Sequence, residues 1–218
     1  MPLIAARGCW WAVIADGMGG HEGGSVASRA AIHAIKSAIQ SDHDAPQIKQ
    51  LFEIAQSAIK SIAQRQPKLE SMGTTCSLIQ LEGDRGIVGH VGDSRIYHLR
   101  GEQLFDRTVD QTEVEQLIQH RMLTRAQAIH YPRRNVLLSA LSATSAYELY
   151  QEAFPLEKGD RIVLLTDGVS SKVSRDELTD LSLTYRANAD FCSAIASQVE
   201  QRIPEDDFSA ICIDIQSI

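Results

Sequence analysis

Residues 74–100 read T-T-C-S-L-I-Q-L-E-G-D-R-G-I-V-G-H-V-G-D-S-R-I-Y-H-L-R. Three stretches with strand texture, residues 75–81, 86–91 and 95–100, follow one another with only Glu82-Gly83-Asp84 and Gly92-Asp93-Ser94 between them. Gly101 closes the set. Upstream, an apolar strand at residues 10–15 precedes two helical patterns. The first is capped by Ser25 and carries Val26, Ala27, Ala30, Ala34, Ile35 and Ala38; the second is capped by Asp44 and carries Ile48, Leu51, Phe52, Ala55, Ile59 and Ile62. Downstream, residues 110–134 are polar and helical, with Thr124 as a cap. Strands are predicted at 136–141, 149–153, 161–166 and 208–215. Ser174-Arg175-Asp176-Glu177 reads as a capping box, and residues 190–202 suit a closing helix. Two helices after one strand, then consecutive strands, do not alternate as a parallel doubly wound sheet would. The pattern predicts an α+β layered fold with largely antiparallel strands.

The 218 residues, 44% hydrophobic, suit one domain spanning 1–218 with a core that needs no disulfide or structural metal. Twenty-eight acidic residues against twenty-one basic ones, a net charge of −7, argue against a nucleic-acid-binding face and against attraction to anionic membranes. Cys9, Cys76, Cys192 and Cys212 form no C-x-x-C pair, and Cys76 and Cys212 lie in apolar runs that suit buried, reduced thiols. Arg7 interrupts the apolar start, which therefore does not read as a signal peptide, and no segment approaches the roughly 20 apolar residues of a membrane span. The expectation is a soluble, cytoplasmic monomer.

Aspartates recur at strand ends. W-A-V-I-A-D-G ends in Asp16 and Gly17, and I-V-L-L-T-D-G ends in Asp167 and Gly168. Asp93 follows a strand in G-H-V-G-D-S-R, and Asp206-Asp207 stand just before the last strand. A single Asp-Gly at a strand end is most often an ordinary turn. Four such sites, two with near-identical flanks, suit a hard divalent cation, which takes oxygen ligands and offsets the repulsion among converging carboxylates. The glycine-rich D-G-M-G-G-H-E-G-G lacks the G-K-S or G-K-T ending of a nucleotide P-loop and is not a dinucleotide fingerprint.

Taken together, D-G-M-G-G-H-E-G-G-S-V-A-S, M-G-T-T-C, G-H-V-G-D-S-R-I-Y, P-R-R-N-V-L, G-D-R-I-V-L-L-T-D-G-V and D-D-F-S-A-I resemble, in order, the metal-dependent serine/threonine protein phosphatases of the type-2C class, bacterial branch. The resemblance runs from about residue 8 to 215. It implies a four-layer sandwich of two antiparallel β-sheets flanked by helices, with residues 110–134 forming a flap beside the site. It implies two Mn²⁺ or Mg²⁺ ions, with Asp16 bridging them, the Gly17 carbonyl completing the first site, and Asp167 and Asp206 binding the second. Asp93 matches a third, weaker ion site, and Asp207 stands behind the ligands. Asp16, Asp167 and Asp206 are thus the catalytic set. The implied substrates are phosphorylated proteins, with a serine/threonine protein kinase acting in the same pathway.

Family members begin with a strand bearing R-x-x-N-x-D, whose arginine clamps the substrate phosphate. This chain begins after it, so the expectation is a piece of a longer reading frame or a degraded phosphatase, and no substrate-binding residue is assigned. A catalytically impaired phosphatase-like regulatory or binding domain is the alternative reading, and a different metal hydrolase the third. Met18 stands where the eukaryotic branch has a histidine. His21 lies near enough to protonate a leaving group, or to serve structure alone. Arg7 reads as a surface arginine and Arg133-Arg134 as a solvated turn. His90 and His98 read as packed or solvent-facing, and Trp10 and Trp11 as core.

Overall fold

The computed structural model describes residues 3–6, 8–41 and 46–217, with His21 described for its backbone alone. In chain order the elements are β1 (Ile4–Ala6), β2 (Cys9–Ile14), β3 (Gly17–Met18), α1 (His21–Gln40), α2 (Ile48–Arg65), β4 (Gly73–Thr74), β5 (Cys76–Glu82), β6 (Arg85–Val91), β7 (Arg95–Arg100), β8 (Gln103–Asp106), α3 (Glu113–Gln119), α4 (Arg125–Ala128), β9 (Leu141–Ser142), β10 (Tyr150–Pro155), β11 (Arg161–Leu165), α5 (Asp167–Ser170), α6 (Arg175–Thr184), α7 (Asn188–Gln201) and β12 (Ala210–Asp214). Every strand pair is antiparallel. One sheet runs β1-β2-β5-β6-β10, a second β12-β11-β7-β8, and a small third β3-β4-β9.

Strand periodicity sorts the side chains into three cores. Trp11 and Val13 of β2, Leu78 of β5 and Val91 of β6 face the helix pair and meet Ala27, Ile35, Leu51, Phe52 and Ile59. Their neighbours Ala12, Ile14, Ile79 and Val88 point the other way, against Ile96, Ile162, Leu164 and Ile213 of the second sheet. On that sheet's far face, Tyr97, Leu99, Val163 and Leu165 meet Val169, Leu178, Phe191, Ile195 and Val199 of the last three helices and the turns beside them. The result is helices, sheet, sheet, helices, as expected. Burying each large apolar side chain contributes about 1.5–3 kcal/mol before the entropy of ordering it is subtracted.

Several local expectations change. α1 begins at His21, so Ser25 lies inside it and is no cap. Gly24 already donates its N–H to the Gly20 carbonyl at 3.0 Å. A Cβ on Gly24 would meet the Gly17 carbonyl carbon at 2.6 Å, so two glycines are needed where the helix crosses the strand end. Asp44 and Arg7 lie outside the described residues; α2 is capped by a reciprocal Gln47–Gln50 box. Residues 136–140 are not strand: only the bridge Thr112–Leu137 forms there, because their backbone anchors the polar segment before them. β8 pairs with β7 where no strand was expected. Trp11 is buried, but its neighbour Trp10 is 51% exposed, as alternation along β2 demands. Cys212 is half-buried, because β12 is the edge of its sheet. Among the described residues, no helix is long and apolar enough to cross a membrane.

Candidate active site

The aspartates sit where strands stop. Asp16 follows β2, and its backbone is clamped on both sides. Its N–H donates to Thr75 Oγ1 at 2.9 Å, and its carbonyl accepts from the Thr75 N–H and the Thr74 hydroxyl, each at 2.8 Å. Thr75 Oγ1 is also 2.8 Å from Ser94 Oγ, the residue after Asp93. One threonine therefore ties the Asp16 backbone to the side chain of the residue next to Asp93. Asp167 opens α5 directly after β11. The Thr166 N–H donates to the Ser209 carbonyl at 3.1 Å, and the Ser209 N–H returns to Thr166 Oγ1 at 3.0 Å. This holds the 206–209 segment against α5. A Cβ at Gly168 would lie 2.4 Å from the Asp207 carbonyl oxygen, so only glycine permits that approach. The second glycine of the Asp-Gly pairs thus serves to bring Asp206 and Asp207 beside Asp167.

The acids converge electrostatically. Burial pushes the Asp16 carboxyl up to about 7, reinforced by Asp167, Asp206 and Asp207. Asp93 is also raised to about 7, first by burial and then by Asp167, Asp110 and Asp16, with Arg95 opposing. Asp16, Asp93 and Asp167 are half-buried, whereas Gly17, Asp206 and Asp207 are exposed. Asp167 Oδ1 is buried and has no hydrogen-bond donor among the described residues. An all-oxygen cluster with an orphaned buried oxygen, in which burial and neighbouring acids raise the Asp16 and Asp93 carboxyls, fits a hard divalent cation. Among the described residues, however, no three acid, histidine or cysteine side chains close around one point as in a filled metal site.

Asp93, Asp167 and Asp206 line a cleft of about 620 Å³. One wall is the 110–135 segment, with Thr112, Val114, Ile129, Arg134 and Asn135; the other holds Ser170, Ser171, Lys172 and Glu205. Gln111 ties the first wall to the site. It exchanges hydrogen bonds with Gly92 at 2.8 Å in both directions, and its Nε2 donates to the Glu148 carbonyl at 2.9 Å. Thr112 and Thr124 cap the segment's two short helices by accepting from Glu115 and Gln127 N–H groups. Arg95 grips Asp110 with three contacts of 2.6–3.2 Å, and this ion pair separates the cleft from a neighbouring cavity of about 350 Å³.

The remaining candidates resolve individually. Met18 is half-buried and packs over Gly73, and the His21 side chain lies outside the described residues. His90 is fully buried, its Nδ1 2.8 Å from Ser77 Oγ and its Nε2 3.2 Å from the Val109 carbonyl. Burial lowers it to about 4, so it is neutral near pH 7. Arg133 is bound bidentately by Glu113, and Arg134 donates to the Ile129 carbonyl at 3.0 Å. Burial pushes the Cys76 thiol up to about 12, which removes it as a nucleophile. Thr74, Thr75, Ser94 and Gln111 were not expected to matter. Three of them lie inside the motifs T-T-C and G-D-S-R, whose hydroxyls were the only signal in the chain.

Residues 3–207 match the family described as Protein phosphatase 2C. The chain belongs to that family. It is by class a serine/threonine protein phosphatase. It is 25% identical over 209 residues to the serine/threonine phosphatase Stp of Listeria welshimeri, covering 93% of this chain and 83% of that one. Serine/threonine protein phosphatase PstP of Mycobacterium tuberculosis is 34% identical over 173 residues, 77% of this chain and 33% of PstP. The crystal structure of that phosphatase superposes with a TM-score of 0.87 at 28% identity, covering 99% of this chain and 91% of that one. A structure of the PstP catalytic domain in complex with two manganese ions matches with a TM-score of 0.84 at 27% identity, covering 99% and 91%.

Proposed function

We propose that this protein hydrolyses phosphoserine and phosphothreonine esters in phosphorylated proteins at the aspartate cluster, with Mn²⁺ or Mg²⁺ as cofactor. Asp16, the Gly17 carbonyl, Asp167 and Asp206 would hold two ions, and Asp93 a third. When bound, such ions supply hydroxide from coordinated water near neutral pH and offset the charge of the phosphoryl oxygens. The protein's own contributions are positional. Thr74 and Thr75 hold Asp16, Ser94 is coupled to the same threonine, and the Thr166–Ser209 bonds keep the segment bearing Asp206 in place. The protons that Asp16 and Asp93 retain near neutrality are the ones cation binding displaces. The two walls of the cleft position a phosphorylated side chain over the acids and shield it from bulk solvent, and the 110–134 segment acts as a flap.

The observation that carries this reading is that Asp93, Asp167 and Asp206, from three distant places in the chain, line one cleft, with Asp16 close enough to Asp167 and Asp206 for their charges to raise its carboxyl. Supporting it is the buried Asp167 Oδ1, which no donor among the described residues reaches. Hydrolysis of p-nitrophenyl phosphate with Mn²⁺ tests it. Asp16→Asn and Asp167→Asn should each lower kcat by about 100-fold or more, the scale on which a preorganised electrostatic element of a site acts. Equal rates in wild type and variants would remove the metal mechanism. Absent turnover with retained phosphopeptide binding would favour the impaired regulatory domain.

A further inference from the structure

Three cations line the cleft: Arg95, Arg134 and Lys172. They are not equivalent. Arg95 is committed to Asp110 through both Nε and Nη2, and its Nη1 reaches the Tyr97 hydroxyl at 3.2 Å. Arg134 is exposed at the rim and already donates to the Ile129 carbonyl. Lys172 follows α5, five residues after Asp167, and only 17% of its side chain is exposed. Among the described residues its ammonium has one anionic partner, Glu205, at 3.1 Å, and that glutamate is 80% exposed. Glu205 in turn precedes Asp206 in the chain. The pair thus flanks the acid cluster, with a sheltered cation facing a solvated anion.

We propose that Lys172 is the substrate-phosphate-binding residue of the cleft, exchanging Glu205 for the phosphoryl oxygens of the bound ester. An ion pair with a solvated partner contributes about 0–1 kcal/mol, so releasing Glu205 costs little. A phosphate dianion offers a denser charge and more acceptor oxygens than a carboxylate, and lysine meets it as a compact point charge. Covering the aliphatic stem leaves less side-chain freedom to lose on binding. The inference rests on the phosphatase reading for the identity of the ester, but phosphate binding tests it separately.

The experiment uses the full chain with Mg²⁺ and two variants, Lys172→Met, which keeps the stem, and Lys172→Arg, which keeps the charge. Two quantities are read: the dissociation constant for inorganic phosphate by calorimetry, and KM and kcat for p-nitrophenyl phosphate. Lys172→Met should weaken phosphate binding and raise KM together, each about 10-fold, the lower end for a hydrogen bond to a charged group, with kcat changed much less. Lys172→Arg should stay within about 3-fold of wild type on both. Melting curves confirm that both variants fold. Unchanged phosphate affinity and KM in Lys172→Met overturn the proposal, as does an effect seen only with a phosphopeptide, which would put the lysine on a flanking residue. Phosphate binding lost in Lys172→Met without ester turnover in the wild type upholds it while overturning the phosphatase reading. A wild type that neither binds phosphate nor turns over the ester overturns both.

Discussion

Two sets of acids lie at opposite ends of the same strand pair, β7 and β11, and the protein treats them differently. At one end Asp93 precedes β7 and Asp167 follows β11; at the other, Asp160 precedes β11 beside the end of β7. Asp160 is 1% exposed and surrounded by donors. Arg100 Nε and Nη2 approach it at 2.7 and 2.8 Å, and the Glu157 N–H at 2.7 Å. His98 Nε2 lies 2.9 Å away. Burial alone would raise the Asp160 carboxyl, but these contacts outweigh it and hold the carboxyl below its ordinary value. Arg107 completes the cluster by donating to His98 Nδ1 and Glu152 while its guanidinium lies over Phe154. At the other end, burial and like charges push Asp16 and Asp93 up to about 7, and Arg95 is spent on Asp110. A buried acid supplied with internal cations is a structural joint. On the proposed reading, the cluster left short of them takes its cation from outside.

The comparison breaks most visibly under substitution. Asp160→Asn should destabilise the fold by about 3–5 kcal/mol in denaturant melts, because it strands Arg100 without its buried partner, while kcat per folded molecule holds. Adding Mn²⁺ at about 100 times its dissociation constant should stabilise wild type by about 2.7 kcal/mol, or about 5–10 °C in melting temperature. Asp160→Asn should keep that thermal shift and Asp167→Asn should lose most of it; the reverse pattern would move the ion site to the wrong end of the strands.

The acid cluster also has a pH signature in chelator. With its carboxyl raised to about 7 against 3.8 in the unfolded chain, Asp16 stabilises the native state by holding a proton. That contribution is full below 3.8 and is lost as pH rises through about 7. Asp16→Asn should therefore gain on wild type between pH 4 and 8, by about 2 kcal/mol once partial exposure is discounted. A constant difference across that range would contradict the charged-cluster account. The smallest expected effect is the control on exposed pairs: Lys49→Ala, which removes a 3.9 Å contact to Glu53, should cost under about 0.5 kcal/mol and leave activity unchanged.

Much of this was legible in the chain. The hairpin of β5 and β6 carries its own turn chemistry, and two-residue periodicity in β2, β5, β6, β7 and β11 names the faces that become three cores. Where expectation failed, long-range contact had overridden local preference. Ser25 is a good cap, yet α1 starts four residues earlier because Gly17 and Gly24 must touch. Residues 136–140 have strand composition, but their backbone is taken by Gln111 and Glu113. Trp10 and Trp11 are chemically alike, and the register of β2 alone decides that only the second enters the core.

The sequence by itself determined the order of elements, the antiparallel pairing at the centre, the family motifs and which aspartates end strands. These depend on residue type and spacing, which are local. Tertiary structure decided that Asp93, Asp167 and Asp206 line one cleft with Asp16 beside them, that Thr75 joins the Asp16 backbone to the Ser94 hydroxyl next to Asp93, and that Lys172 is sheltered with a solvated partner. It also decided which buried acid is neutralised from within. Charge and burial act through space, so the chemistry of Asp16 and Asp160 differs although each is an aspartate at the edge of a strand.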